Sequence, residues 1–291
     1  MEPLSQISFG LLNGVIRGTI LALLASGLNV VFGLMKTVNV AHGSLYMVGA
    51  YLAWSVFAGT GSFWLSLVVS PLAVGVLAVA MGMVLRPIRE NSSLTILGTF
   101  AAALVFQGMT LVLWGGTPRR LPLPLGASFS LFGTGYSYYR VLAAGLAGFV
   151  LLGFWLVTEK TRFGLTLRAS EEEPELSTAI GINVSSVYLL GFALGGALAG
   201  LSGSLIAPMV SLAPDMGLRV FAVVFLIVIL GGLGNIWNSV LAALVFSVVR
   251  GIATAFLDAT GGLIVSFSLV LLLILVAPDY YTGGNRDASQ N

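Results

Sequence analysis

Apolar runs of membrane-crossing length follow one another along almost the whole chain, separated by short polar joints. They fall at about Ile7 to Leu34, Val40 to Ala58, Phe63 to Leu85, Leu94 to Trp114, Tyr138 to Val157 and Val187 to Ala207. Leu218 to Leu230 and Val240 to Leu257 flank a glycine break, and Gly262 to Ala277 closes the series. A spanning helix needs about 20 apolar residues, and these runs are too long and too evenly apolar to be strands of a soluble sheet. The pattern predicts an all-α polytopic membrane protein of about eight to nine transmembrane helices, a single domain over residues 1–291. Two joints break the rhythm. Gly115 to Tyr136 is polar and rich in Pro and Gly, and Ser128 to Leu131 within it reads either as a short strand or as loop. Glu159 to Asn183 is the most charged segment.

Composition narrows the class. Of 291 residues 57% are hydrophobic and only 8% charged, and the mean hydropathy is +1.02. A soluble domain carries roughly 25% charged residues. The spans leave no room for an extramembrane enzyme domain. There is no cysteine, which excludes disulfides, thiolate catalysis and thiolate metal sites. A formal charge of +2 gives no reason to expect nucleic acid. The opening MEPLSQISFG lacks the basic segment of a cleaved signal, so the first helix is expected to be retained. Lys36, Arg86 with Arg89, and Lys160, Arg162 and Arg168 all fall on one side of the alternating spans. Basic residues favour the cytoplasm, which places the N-terminus outside and the tail, with Arg286, inside. That holds whether 218–257 crosses twice or forms a re-entrant hairpin. Arg119 and Arg120 then fall outside, against the rule.

The candidate chemistry gathers between Ser26 and Trp54, where Asn29, Asn39, His42, Ser44 and Tyr46 interrupt an apolar, glycine-rich surface. His42 is the single histidine, so no metal site is expected. Polar groups in hydrocarbon cost several kcal/mol or so when unpaired, and this set reads as the wall of a path for something polar. The competing reading is helix bridging by the asparagines and histidine, with Asn39 as a helix cap. Tyr46 shares a face with His42, four residues earlier. Arg17, in an apolar run on the same face as Asn13, is a functional candidate or a lipid-phosphate anchor. Arg250 and Asp258 fall near an interface. Gly231, Gly232 and Gly234 mark a helix break.

Within 159–183, Leu176, Ala179 and Ile180 lie at helical spacing beside the acidic run Glu171, Glu172 and Glu173. Pro174 suits a first helical turn and Gly181 a stop. The segment is either a short amphipathic helix across the cytoplasmic face or a solvated acidic loop.

GLNVVFGLMKTVNVAHGSLYMVGAYLA resembles the region after the first helix in membrane permeases of high-affinity branched-chain amino acid transporters, the LivH type. RASEEEPELSTAIGIN is similar to that family's cytoplasmic loop, and GGLGNIWNSVLAAL to its late glycine-rich segment. The resemblance covers nearly the whole chain in order. It departs at Ser44, where the family often has an acid, at Asn238 and Ser239, where Pro and Gly are common, and in the tail from Ala277 to Tyr281. The resemblance implies a permease subunit of an ATP-driven importer in the bacterial inner (plasma) membrane. Implied partners are a second related permease (a heterodimer, or alternatively a homodimer), two cytoplasmic ATPase subunits and a periplasmic binding protein. The implied solute is leucine, isoleucine or valine, the alternatives being urea, short amides or other amino acids. The ATPases would push on Arg168, Glu171, Glu172, Glu173, Leu176, Ala179, Gly181, Ile182 and Asn183. The chain has no phosphate-binding Gly-x-x-x-x-Gly-Lys-Ser/Thr loop, so ATP and Mg belong to those partners and no cofactor is expected here.

Other classes fit less well. A carrier driven by an ion gradient needs buried carboxylates, and every acidic residue here sits in a loop or at a span end. An intramembrane enzyme finds one histidine and no nearby aspartate. A passive channel has no use for the acidic loop.

Overall fold

Short capping signals cut the apolar runs into helices. The computed structural model describes residues 3–36, 38–131 and 134–276. The helices are α1 (Pro3–Met35), α2 (His42–Thr60), α3 (Phe63–Leu85), α4 (Ser92–Trp114), α5 (Tyr138–Lys160), α6 (Arg162–Glu172) and α7 (Pro174–Ala179). They continue as α8 (Val184–Ile206), α9 (Met216–Gly231), α10 (Ile236–Phe256) and α11 (Ala259–Val276). Ser62, Asn91, Thr161, Asn183 and Asn235 each cap the helix that follows with a side-chain oxygen. Such a cap contributes about 1 kcal/mol. The segment Ser128 to Leu131 is a strand, β1 (Ser128–Leu131), paired antiparallel with β2 (Thr134–Ser137), with Phe129 opposite Tyr136. The charged stretch 159–183 is two helices, α6 and α7, separated at Glu173 by Pro174. The tail from Ala277 to Tyr281, and Arg286, lie outside the described residues.

Among the described residues seven helices, α1, α3, α4, α5, α8, α10 and α11, are long and apolar enough to cross a membrane. With 19 residues α2 has the length but not the hydropathy, and α9, at 16 residues, falls short in length. The ordering by polarity has a cause. Helices α4 and α11 turn most of their surface outward, where only apolar side chains are tolerated. Helix α2 is wrapped by α3, α4, α8 and α9, and every residue from His42 to Tyr51 is buried. It therefore carries polar groups at no cost to lipid contact.

Small residues let the inner helices approach. A methyl placed on Gly49 of α2 would fall 2.6 Å from the Gly200 Cα of α8, so the two backbones meet directly. Gly10, Gly14 and Gly18, four residues apart along α1, face α10, where a methyl on Gly14 would lie 2.5 Å from Val248 Cα. Without a hydrophobic drive between helices in lipid, such close packing is what holds them together.

The molecule has two ends. At one, Met35, Arg89, α6, α7 and the start of α8 border a cleft of about 560 Å³. At the other, Tyr136 and Arg140 reach Asn13 of α1, and Arg119 pairs through its backbone with Leu212.

Candidate functional site

The six-residue joint between α1 and α2 turns back on itself. Lys36, with φ at +51°, follows α1, and α2 begins beside Leu24 rather than beyond Met35. Asn39 fixes this return. Its Oδ1 accepts from the Ala41 N–H at 3.1 Å, and its carbonyl accepts from the His42 N–H at 3.2 Å. Thr99 of α4 holds the same joint, accepting from Val40 N–H and donating to Val38 O.

His42 Nε2 lies 3.0 Å from the Leu24 carbonyl. A carbonyl only accepts, so Nε2 carries a proton and donates it, which leaves Nδ1 to find its own partner. That Nδ1 is buried without a partner, as is Asn39 Nδ2. Ser44 Oγ donates to Ala103 O of α4 at 3.3 Å. Tyr46 borders a cavity, about 360 Å³ in size, with Arg17, Ile20, Met216, Arg219 and Arg250 among its other walls.

Asn29 does different work. Its Nδ2 donates to Ser239 Oγ at 2.6 Å and to Asn235 O at 3.4 Å, and its Oδ1 accepts from Gly234 N–H at 3.0 Å. One amide thus clamps the joint of α9 and α10. Gly232 and Gly234 hold φ of +90° and +85°, which a side chain rarely adopts, and Gly231 packs on the Ser239 backbone. The structure brings Asn29 to the glycine break 205 residues away, and seats Asn39, His42 and Ser44 together at the head of α2. The sequence pattern did not single out Thr99 or link Ser239 with Asn29. Their signal is weak, because single hydroxyls in apolar helices are common.

At the other end of the joint, α6 is anchored and α7 is presented. Arg168 Nη1 donates to Thr158 O at 2.5 Å and pairs with Glu159 at 3.4 Å, tying α6 back to α5. The Glu171 carboxylate lies where a side chain on Gly33 would be. Burial pushes Glu171 up to about 7, against the pull of Lys36 and with the push of Glu172. Helix α7 ends in two bonds, Ile182 N–H to Ser177 O and Gly181 N–H to Thr178 O, with Gly181 at φ +89°. That is a Schellman stop. Ile182 then packs on the core and Asn183 caps α8. Glu172, Glu173 and Ala179 are exposed, and so are Leu176 (60%) and Ile180 (69%). Two large apolar side chains exposed on a short helix form a surface fit for a partner. Among the described residues no group of His, Cys, Asp or Glu is arranged to hold a metal ion.

The family described as the branched-chain amino acid transport system / permease component matches residues 10–277. The chain is 25% identical over 283 residues to the high-affinity branched-chain amino acid transport system permease protein LivH of Escherichia coli K12, covering 91% of this chain and 92% of that one. It is 29% identical over 290 residues to the probable branched-chain amino acid transport permease protein LivH of Methanocaldococcus jannaschii, covering 92% and 90%. With the permease protein BraD of Pseudomonas aeruginosa it shares 27% over 289 residues, covering 92% and 93%. No solved structure matches the chain.

Proposed function

The chain belongs to the branched-chain amino acid transport permease family, and from that premise we propose that it is the membrane-spanning subunit of an ATP-driven importer of leucine, isoleucine and valine. It is a multi-pass protein of the inner (plasma) membrane, with α2 and α9 added to the seven long apolar helices. The α6–α7 end faces the cytoplasm and the β1–β2 end faces outward. Two ATPase subunits bind Mg and ATP and act on α6–α7, a second permease pairs with this chain, and a binding protein delivers the solute from outside. The chain itself catalyses nothing.

The observation that carries this reading is the geometry of α6–α7. Leu176 and Ile180 project from α7, which follows α6, itself tied to α5 through Arg168, and leads through Gly181 and Ile182 into α8, capped by Asn183, so a push on them would be passed to both long helices. The path for the solute runs past α2. Tyr46 already borders a cavity, and the unpartnered Asn39 Nδ2 and His42 Nδ1 are the polar atoms a passing amino acid would meet when the inner helices part. Asn29 and Ser44 hold the walls on either side.

Pull-down of the tagged chain from gently solubilised native membranes tests the assignment. Two ATPases and a second permease are expected to come with it. Recovery of the chain alone would contradict it. For the path, His42→Ala and Asn39→Ala are expected to lower coupled uptake while the complex still assembles. Unchanged uptake in both variants would remove them from the path.

A further inference from the structure

Arg17 of α1, Arg140 of α5 and Arg250 of α10 line one cavity of about 390 Å³ toward the β1–β2 end, together with Asn13, Ser247 and Thr254. No carboxylate among the described residues answers these three charges. Among the described residues the ion pairs are Arg168 with Glu159 and Arg219 with Asp215, neither of them at this cavity, and Asp258, one of whose oxygens accepts from the Gly261 N–H, makes none. Arg140 is fixed by Asn13, whose Oδ1 accepts from it at 2.8 Å and from the Tyr136 hydroxyl at 2.9 Å. Arg17 and Arg250 make no hydrogen bond or ion pair with a described residue, and the cations near Arg17 repel it. Ser247 Oγ is buried, with the residue 4% exposed, and has no partner.

Such an arrangement is costly unless something fills it. An unpaired charge costs about 2.5–3.5 kcal/mol at the centre of a spanning helix and less toward its ends, where the exposed Arg17 and the half-buried Arg140 and Arg250 gather, and like charges brought together cost more. Guanidinium groups are also the side chains best shaped to grip two oxygens of one anion. We propose that this cavity is an oxyanion site, occupied by the phosphate of a lipid headgroup or by a free carboxylate or phosphate. Arg17 and Arg250 hold the anion, Arg140 adds its remaining donors, and Ser247 Oγ–H donates to it. The depth suits either source. Arg140 is the third residue of α5, next to the hairpin, and Arg17 lies one turn beyond Asn13. Arg17 and Arg250 also border the cavity of Tyr46, so a free anion here stands beside α2. The site does not depend on what the chain carries.

The test titrates the purified, delipidated full-length chain in non-ionic detergent with phosphatidylglycerol, diacylglycerol, acetate and inorganic phosphate, read by native mass spectrometry and thermal shift. Saturable binding of phosphatidylglycerol with none of diacylglycerol assigns the lipid headgroup. Saturable binding of acetate or phosphate assigns the free anion. In either case Arg17→Gln or Arg250→Gln is expected to weaken binding about tenfold, and Ser247→Ala, which removes only a hydroxyl, about threefold. Arg17→Lys keeps the charge and retains part of the affinity. No saturable binding of any anion, or affinities unchanged in the Arg17→Gln/Arg250→Gln pair when it elutes and melts like the parent chain, overturns the proposal.

Discussion

Two joints of this molecule are written in nearly the same local code. Gly181-Ile182-Asn183 stops α7 with a left-handed glycine and starts α8 with an asparagine cap. Gly232-Leu233-Gly234-Asn235 likewise ends α9 at glycines of positive φ, though without the Schellman bonds, and starts α10 with an asparagine cap. Their surroundings differ. The second joint is clamped by Asn29 from a distant helix, whereas among the described residues the first has only its own bonds and leaves Leu176 and Ile180 exposed. One is held as a lock, and in the proposed function the other serves as a handle. The local sequence sets where the chain turns, and a tertiary partner decides whether the turn is held or left free to be moved.

The comparison breaks most severely at Gly231. A side chain there meets the Ser239 backbone, so Gly231→Val is expected to cost about 3 kcal/mol and to empty the monodisperse peak on size exclusion. Asn29→Ala removes three hydrogen bonds from the lock and is expected to cost about 2 kcal/mol in thermal unfolding in detergent. If that loss matched the cost of Asn235→Ala alone, Asn29 would not be a clamp. Asn183→Ala and Asn235→Ala remove equivalent caps, each about 1 kcal/mol. The double variant Asn29→Ala/Asn235→Ala should be non-additive, because both residues serve one joint.

The handle responds to pH. Glu171 in the folded chain holds its proton up to about 7, against 4.5 for a free side chain, because it is partly buried. The folded state therefore binds more protons than the unfolded state between those values, and its stability falls as pH rises from about 4.5 through about 7. Glu171→Gln is expected to flatten that slope and to gain stability at pH 8 but not at pH 4. A melting temperature with the same pH profile in both proteins would contradict the burial of Glu171.

The long apolar helices and the two glycine stops are legible in the sequence because each depends on residues within a turn of one another. The one cap expected, Asn39, is not the cap of α2: that helix begins at His42 after Ala41 with no side-chain cap, and Asn39 Oδ1 accepts from the Ala41 N–H instead. Ser128 to Leu131 was open between strand and loop, since four residues cannot show a hairpin without their partner strand. The enclosure of α2 was hinted at by its polar content, which no lipid-facing helix could bear. Its bonds were not legible: His42 meets Leu24 and Ser44 meets Ala103 only through the fold. The α1–α10 contact left a readable trace, glycines at 10, 14 and 18, in a spacing that small-residue packing predicts. Arg17 stood out alone, but its company of Arg140 and Arg250 comes from segments more than 100 residues apart.

The central claim is that α6–α7 is the surface a motor subunit grips. Because the chain has no cysteine, Leu176→Cys introduces a single reactive site, and an exposed substitution of this kind should change stability by less than about 0.5 kcal/mol. Cross-linking that variant in native membranes with a short thiol-to-amine reagent is the direct measurement. The account predicts one dominant adduct containing an ATPase subunit, with Leu123→Cys at the opposite end giving none. An adduct absent at 176 in membranes where the ATPases co-purify with the chain would contradict it.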